Sequence, residues 1–523
     1  MRISNDKIWR LTSPSSYTSR LASEAGISAL TAQILINRGI SDSASAEAFL
    51  SPRLSDLTDP MLLKDMEKAI ELIMNAIEEG KQITVYGDYD ADGLTGTALL
   101  LNLFSNLGIH ASAYIPKRLE EGYSLNPGAI ERIASDGTGL IITVDCGISN
   151  IKEIELARRL GMDVVVTDHH QIPEDFEPVC PVINPNRSDS LFPFRGLAGV
   201  GVAFYLAIGT RTVLREKGWF RDRPEPDLRR YLDLVALGTV ADMVPLIGQN
   251  RILVHSGMEV MKYSQWPGIK AMQNLSGMAI SRISSYDLAF KLAPRLNAPG
   301  RMEDAAIGLR TLVTDNASEA ADMARQLNTI NAKRQAVEAE ILEQIEEKII
   351  PGLALEDRRT MVISEGGWHQ GVLGIVASRL LNRYHRPTLV LTIRDGIAVG
   401  SGRSIDGFNL YRALVRLSHL FEKFGGHHHA AGVTLKESNI EALAAGLEEI
   451  AREEMNEEDL IPAVQVDAEV EIRVLTRASV GEIESLAPFG SGNPAPVLYS
   501  GPLEVVGSWV VGENHLKLRV RQG

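Results

Sequence analysis

Residues 83–96 read ITVYGDYDADGLTG. A short run that favours an extended chain, Ile83 to Tyr86, gives way to aspartates at 88, 90 and 92. Gly93 and Gly96 then let the backbone turn tightly into the helical pattern ALLLNLFSNLG at 98–108. Alternate side chains of an extended segment share one face, so this spacing gathers three carboxylates together. Carboxylates placed side by side repel one another unless cations sit between them. A calcium loop of the D-x-D-x-D-G kind is one competing explanation, but position 99, six residues after Gly93, is leucine rather than the glutamate such a loop requires. A merely solvated acidic turn is a second, and it fits poorly directly after a buried strand.

Working outward, the same grammar repeats. GLIITVDCG at 139–147 precedes the helical IKEIELARRLG, and MDVVVTDHH closes at His170. Apolar runs alternating with helical stretches predict a mostly parallel sheet wrapped by helices, whose ligands lie outside the carboxyl ends of the strands. Asp145, Asp168, His169 and His170 are therefore expected at one rim with the first three aspartates. Asp242, in LGTVADMVPL, ends a further apolar run at a polar elbow. Taken singly, Asp145 serves equally well as a helix cap and each histidine as a satisfied core residue. Together, four separated segments offer oxygen and nitrogen ligands for two cations, in a mixture that suits Mn²⁺ better than Ca²⁺.

The remaining chain frames this centre. With 523 residues, 45% hydrophobic and 23% charged, it exceeds what one core can organise. Residues 1–80 read as short helices. The catalytic α/β domain is expected over 81–315, and one long connecting helix over 316–352, its apolar residues Leu327, Ile330, Val337, Ile341 and Ile345 at three- and four-residue spacings with a gap at Arg334. A second, smaller α/β domain follows over 353–454, and the alternating stretches of 462–523 predict a small β-barrel. Cys146 and Cys180 are too few for a disulfide framework and suit a reducing compartment. The opening stretch MRISNDKIWRLTSPSS lacks a basic segment followed by an apolar run, and no window is long and apolar enough to span a membrane. A soluble cytoplasmic protein with no membrane partner is the expectation. The net charge of −14 counts against bulk electrostatic coating of nucleic acid, so any contact with DNA must be local.

VYGDYDADGLTG, TVDCG, TDHH and GTVADMVPL, in this order and spacing, resemble the successive motifs of the DHH phosphodiesterases. The resemblance implies an α/β fold with a parallel-sheet DHH domain and a smaller α/β domain joined by a long helix. It also implies that Asp90, Asp92, Asp145, His169 and Asp242 hold a pair of divalent metals, Mn²⁺ in preference to Mg²⁺. Asp88 is carried over as an additional ligand and His170 as a ligand or phosphate contact. Tyr86 stands where other members have histidine, which implies one protein ligand fewer at the first metal. Two ions about 3.5–4 Å apart polarise the scissile phosphate, acidify water and steady the leaving oxygen without a side-chain nucleophile. Asp145, alone on its strand end, is the candidate bridge, and Asp168 the candidate partner that fixes the His169 tautomer.

GWHQGVLGIVASRL, VGSGRSIDGFNLYRAL and FGGHHHAAGVTL are similar to the glycine-rich motifs of the DHH-associated domain, which implies phosphate contacts from Ser401 and Arg403 and a substrate contact from His427. His428 and His429 have no matching role. The surroundings of Arg118 in YIPKRLEEGYSL and Arg301 in APRLNAPGRM resemble the RecJ branch. There, residues at these positions, with Ser401 and Arg403, help form a pocket for a 5′ phosphate across the domain cleft. LAPFGSGNPAPVL and the following strands resemble the start of an oligonucleotide-binding (OB) barrel, with further barrel sequence expected beyond Gly523, so the barrel is expected to be incomplete. The activity implied is 5′→3′ hydrolysis of single-stranded DNA to 5′ mononucleotides in recombination and repair, by a monomer beside a single-strand-binding protein and a helicase. An oligoribonuclease or cyclic-dinucleotide phosphodiesterase of the same superfamily, or a manganese pyrophosphatase, fits less well because such proteins lack the connecting helix and barrel. A non-catalytic DNA-binding relative is disfavoured by the intact carboxylates and histidines.

Overall fold

The structure, a computed structural model, describes residues 7–118, 120–512 and 515–522; part of the opening stretch, residues 1–6, and the terminal glycine lie outside it. Contacts divide the chain into two compact units, residues 1–10 with 329–464 and residues 11–328 with 465–523. The division falls inside the long α-helix Ala317–Gln344, which begins at the expected place but gives way to a π turn over Ile345–Ile349 and a 3-10 turn over Ile350–Gly352, short of the expected end at 352.

The larger unit is built on a five-stranded sheet in the order Ala111–Tyr114, Gln82–Gly87, Thr138–Val144, Asp163–Thr167, Val182–Ile183, with every pairing parallel. The strands read as nearly unbroken apolar runs because both faces are covered. Ile83, Val85, Leu140, Ile142, Val144 and Val165 enter one core with the helices Ala91–Asn106, Gly199–Glu216 and Leu232–Ala241. Tyr86, Ile141, Val164 and Val166 face the opposite core with the helices Pro127–Ser135 and Ile151–Arg159.

In the smaller unit the sheet runs Phe421–His427, Ala430–Lys436, Ile397–Arg403, Thr388–Arg394, Met361–Gly366, antiparallel except for the last pair. Its core includes Leu389, Leu391, Phe408, Leu443 and Leu447.

Beyond Gln465 the strands are short. Ala468–Glu469 pairs with Leu498–Tyr499, and Glu504–Val511 forms a hairpin with His515–Arg521. No closed barrel forms among the described residues. A helix, Arg477–Glu484, lies between the stretches whose alternation predicted strands. Instead of standing alone, this segment shares a core with the N-terminal helices: Leu486, Ile483, Phe489 and Leu498 pack with Leu21, Ile34, Leu35 and Phe49.

Arg251 pins that junction. It is 2% exposed, and its guanidinium donates to the carbonyls of Phe49 (2.6 Å), Leu486 (2.8 Å) and Ser485 (3.1 Å) while lying 3.8 Å from the Phe49 ring centroid. Burial lowers its pKa only to about 10, so it remains charged at neutral pH. Arg251→Met fills similar space but strands the buried carbonyls of Phe49 and Leu486, a loss of about 3 kcal/mol. Hydrogen exchange is expected to show faster opening of residues 18–50 and 477–484 in this variant, with the sheet strands protected as in the parent.

Candidate metal centre

The parallel ladder sets the rim. Asp88, Asp145 and Asp168 each follow the last residue of a strand, and each donates its N–H to the neighbouring strand: to Val144 O (3.2 Å), Thr167 O (3.0 Å) and Ile183 O (3.1 Å), respectively. One more rung of sheet bonding thus fixes three aspartates in step. Asp145 makes the sharpest turn, at φ +63°, a left-handed conformation that aspartate and asparagine tolerate better than other side chains.

Asp90 caps the helix Ala91–Asn106, its Oδ1 accepting from the N–H groups of Asp92 (2.9 Å) and Gly93 (3.1 Å). Asp92 reaches across to the helix Gly199–Glu216, accepting from Gly199 N–H (2.6 Å) and Val200 N–H (2.8 Å). Asp242 arrives from the C-terminal end of the helix Leu232–Ala241. These elements bring the expected residues together. His169 Nε2 lies 3.1 Å from Asp145 Oδ1, 3.5 Å from Asp242 Oδ2 and 3.9 Å from Asp92 Oδ2. Three overlapping groups have ligand atoms mutually within 4.8 Å: Asp88, Asp90 and Asp145; Asp92, His169 and Asp242; and Asp145, His169 and His170.

Asp88 Oδ1, Asp145 Oδ1, His169 Nε2 and Asp242 Oδ2 are buried and make no hydrogen bond. Four such orphans in one cluster match a cation site, since buried polar atoms otherwise find partners. Burial raises the carboxyl pKa values of Asp88, Asp145 and Asp242 well above the ordinary range and that of Asp92 to about 7, with neighbouring aspartates pushing the same way. Burial also lowers His169 to about 4, which keeps its imidazole neutral and able to ligate.

One expectation changes. Asp168 does not orient the His169 ring: its Oδ1 contacts His170 Nδ1 at 2.7 Å, and its oxygens accept the backbone N–H groups of Ile148, His169 and His170. The backbone group that acts on the His169 imidazole is that of Leu197, which favours its protonated form. Tyr86 is fully buried, stacks on Tyr114 and donates its hydroxyl to Ser124 O (3.0 Å), so its side chain is engaged away from ligation.

Of the basic residues, Arg118 lies over the Tyr89 ring, 5.2 Å from its centroid, and Arg301 acts electrostatically on the same phenol. Both therefore act on Tyr89, the residue between Asp88 and Asp90 in the sequence. Ser401, Arg403 and His427 belong to the other unit. There Arg403 Nη1 donates to Ser401 Oγ (3.2 Å), and Arg403, Ala430 and His427 are in register across three strands.

Several contributors escaped the sequence reading. Tyr123 places its hydroxyl 3.2 Å from Asp145 O and 3.3 Å from the His170 ring nitrogens. Asn184 and Asn186 donate to the carbonyls of His170 (2.9 Å) and His169 (2.6 Å). The glycines of LAGVGVA, which let a helix start against Asp92 and Asp145, were the one available signal for the Gly199 contact.

Residues 82–239 match the DHH family, N-terminal domain, residues 358–453 the DHHA1 domain, and residues 466–523 the RecJ OB domain. Over 88% of its length the chain is 40% identical to the single-stranded-DNA-specific exonuclease RecJ of Escherichia coli (strain K12), of which it covers 81%. The chain belongs to the RecJ family. It is also 38% identical, over 96% of its length, to the RecJ exonuclease of Bacillus subtilis (strain 168), spanning 62% of that protein. The crystal structure of the Thermus thermophilus RecJ in complex with Mn²⁺ superposes on 98% of this chain and 72% of its own, with a TM-score of 0.83 at 31% identity. This RecJ-family chain has no helix, among the described residues, that is long and apolar enough to cross a membrane.

Proposed function

We propose that the chain is a divalent-metal-dependent exonuclease that hydrolyses single-stranded DNA from its 5′ end to 5′ mononucleotides, serving recombination and repair. The observation that carries this is the meeting of four orphaned ligand atoms from separated segments, Asp88 Oδ1, Asp145 Oδ1, His169 Nε2 and Asp242 Oδ2, in a RecJ-family chain. Thermus thermophilus RecJ has been crystallised in complex with Mn²⁺ and with Mg²⁺; a pair of such ions would supply Lewis acidity and acidified water when bound here. Asp145, common to two of the ligand groups, would be a ligand shared between them. Neutral His169 completes one of them, and His170, held by Asp168, faces the substrate phosphate. Arg118 and Arg301, at Tyr89, take the terminal 5′ phosphate by charge-assisted hydrogen bonds, which registers the chain end against the reacting bond. Ser401, Arg403 and His427 are substrate contacts of the smaller unit.

The C-terminal hairpin supports a polymeric substrate. Trp509 is opposite Lys517 in register, with the Arg519 guanidinium 5.6 Å from its ring centroid, and His515, Lys517, Arg519 and Arg521 alternate along one strand. A stacking ring among cations is what single strands bind. The same family membership is the support for a cytoplasmic monomer that works beside a single-strand-binding protein and a helicase.

The test uses single-stranded DNA labelled at either end, with RNA of the same sequence alongside, in Mn²⁺. Immediate release of the 5′ label as mononucleotide is expected, with the 3′ label released last. Prompt loss of the 3′ label, or preference for RNA, defeats the reading. Arg301→Ala is expected to lower kcat/KM roughly tenfold or more on 5′-phosphorylated DNA and to change little on 5′-hydroxyl DNA. Equal kinetics with the parent on both would remove Arg301 from the end pocket.

A further inference from the structure

The turn that carries Asp90 and Asp92 depends on a side chain 206 residues away. Ala91 is the first residue of the helix Ala91–Asn106 and is fully buried. Its N–H is one of the four donors that a helix start leaves without an internal partner. Asp90 Oδ1 is already committed to the N–H groups of Asp92 and Gly93. The Ala91 N–H donates instead to Asn297 Oδ1, at 2.7 Å. Asn297 sits in the helix Ala293–Met302, which approaches the same turn closely at a second point: a Cβ on Gly300 would lie 3.0 Å from Tyr89 O. The helix is therefore seated against the turn through Gly300 and grips it through Asn297.

We propose that Asn297 is a positioning residue of the metal centre, one that sets divalent-cation affinity without touching the cation. By accepting the Ala91 N–H it relieves Asp90 of a third backbone donor, so Asp90 keeps its second carboxylate oxygen for a metal. It also fixes the peptide between Asp90 and Asp92, and with it the spacing of two ligands that belong to different ligand groups. Partners that orient metal ligands in this way typically govern affinity by roughly 10- to 100-fold. The inference rests on the divalent-metal reading above and extends it to a residue outside the ligand set.

Titration calorimetry of the full chain with Mn²⁺ alone, without DNA, tests it. Asn297→Leu fills the space but offers no acceptor, and its Mn²⁺ dissociation constant is expected to rise by roughly 10- to 100-fold. Asn297→Asp keeps an acceptor at the same place and is expected to bind Mn²⁺ as tightly as the parent or more tightly. The metal-free thermal midpoints of the two variants are expected to lie within a few degrees of each other. Parent-like binding by Asn297→Leu overturns the proposal, as does equal weakening in both variants. If Asn297→Leu does not fold, Asn297→Ala takes its place under the same criteria, and weakened binding by a folded Asn297→Asp overturns the proposal by itself. A parent that binds no Mn²⁺ defeats the metal reading instead, so the two failures are distinct.

Discussion

Asp145→Asn is expected to lower hydrolysis of single-stranded DNA by about three orders of magnitude while leaving the fold in place. Asp145 belongs to two of the three ligand groups, so under the two-metal reading the change takes one charged oxygen from each of those two groups. A loss of about 4 kcal/mol of transition-state stabilisation, modest for a metal centre, corresponds to about 10³ in rate. Asparagine is a cleaner replacement than alanine because position 145 stands at φ +63°; alanine there adds backbone strain of about 1 kcal/mol, whereas asparagine accepts the conformation. Stability is expected to move in the opposite direction to activity. Burial, and then Asp92, Asp90, Asp242 and Asp88, raise the Asp145 pKa. A carboxyl whose folded pKa is raised contributes its stability below its unfolded value, about 3.9, and loses it as pH rises through the folded value. At pH 8 without metal, the neutral amide is therefore expected to melt at or above the parent temperature. Circular dichroism melts and a Mn²⁺-dependent single-strand assay check both halves, and unchanged turnover in Asp145→Asn would take Asp145 out of the metal centre.

The parts of this centre that were legible in the sequence are those that local geometry dictates. Parallel strands buried on both faces read as continuous apolar runs, so the first polar residue after each run must lie at the rim; Asp88, Asp145 and Asp168 are in those places. Asp90 and Asp92 follow from the same turn. Asp242 was found as a polar elbow, although it terminates a helix and not a strand. What stayed hidden depends on contacts without a local period. Asp92 is fixed by N–H groups 107 and 108 residues away, and the neighbours His169 and His170 find different partners because their rings, tilted 52° to each other, leave the turn in different directions. At the C-terminal end, alternation disclosed the hairpin Glu504–Val511 and His515–Arg521, whose side chains need no distant partner to define its register. It missed the helix Arg477–Glu484, whose buried side is completed only by the N-terminal helices.

Among the residues that only the structure disclosed, Gly199 carries the largest expected effect. A Cβ at Gly199 would lie 2.6 Å from Asp145 Cβ and 2.8 Å from its Cγ and Oδ1, where about 3.4–4 Å is ordinary contact. The obstacle cannot swing aside, because Asp145 is buried and its N–H is bonded to Thr167 O. Nor can the helix Gly199–Glu216 easily retreat, since its first N–H groups hold Asp92. Gly199→Ala must therefore displace either Asp145 or Asp92 by something near 1 Å, and a misplacement of about that size costs roughly 10² in rate. Gly201, two residues along the same helix, supplies the control: its nearest neighbour to an added Cβ is Leu197 Cδ2 at 3.5 Å, an ordinary contact. Gly201→Ala is expected to keep parent turnover and to gain up to about 1 kcal/mol from helix propensity. Mn²⁺ titration should separate the pair as well, with weaker binding confined to Gly199→Ala. Equal turnover and equal metal affinity in the two alanine variants would mean that the Asp145 carboxylate is not held against this helix, and that the rim is shaped by the sheet alone.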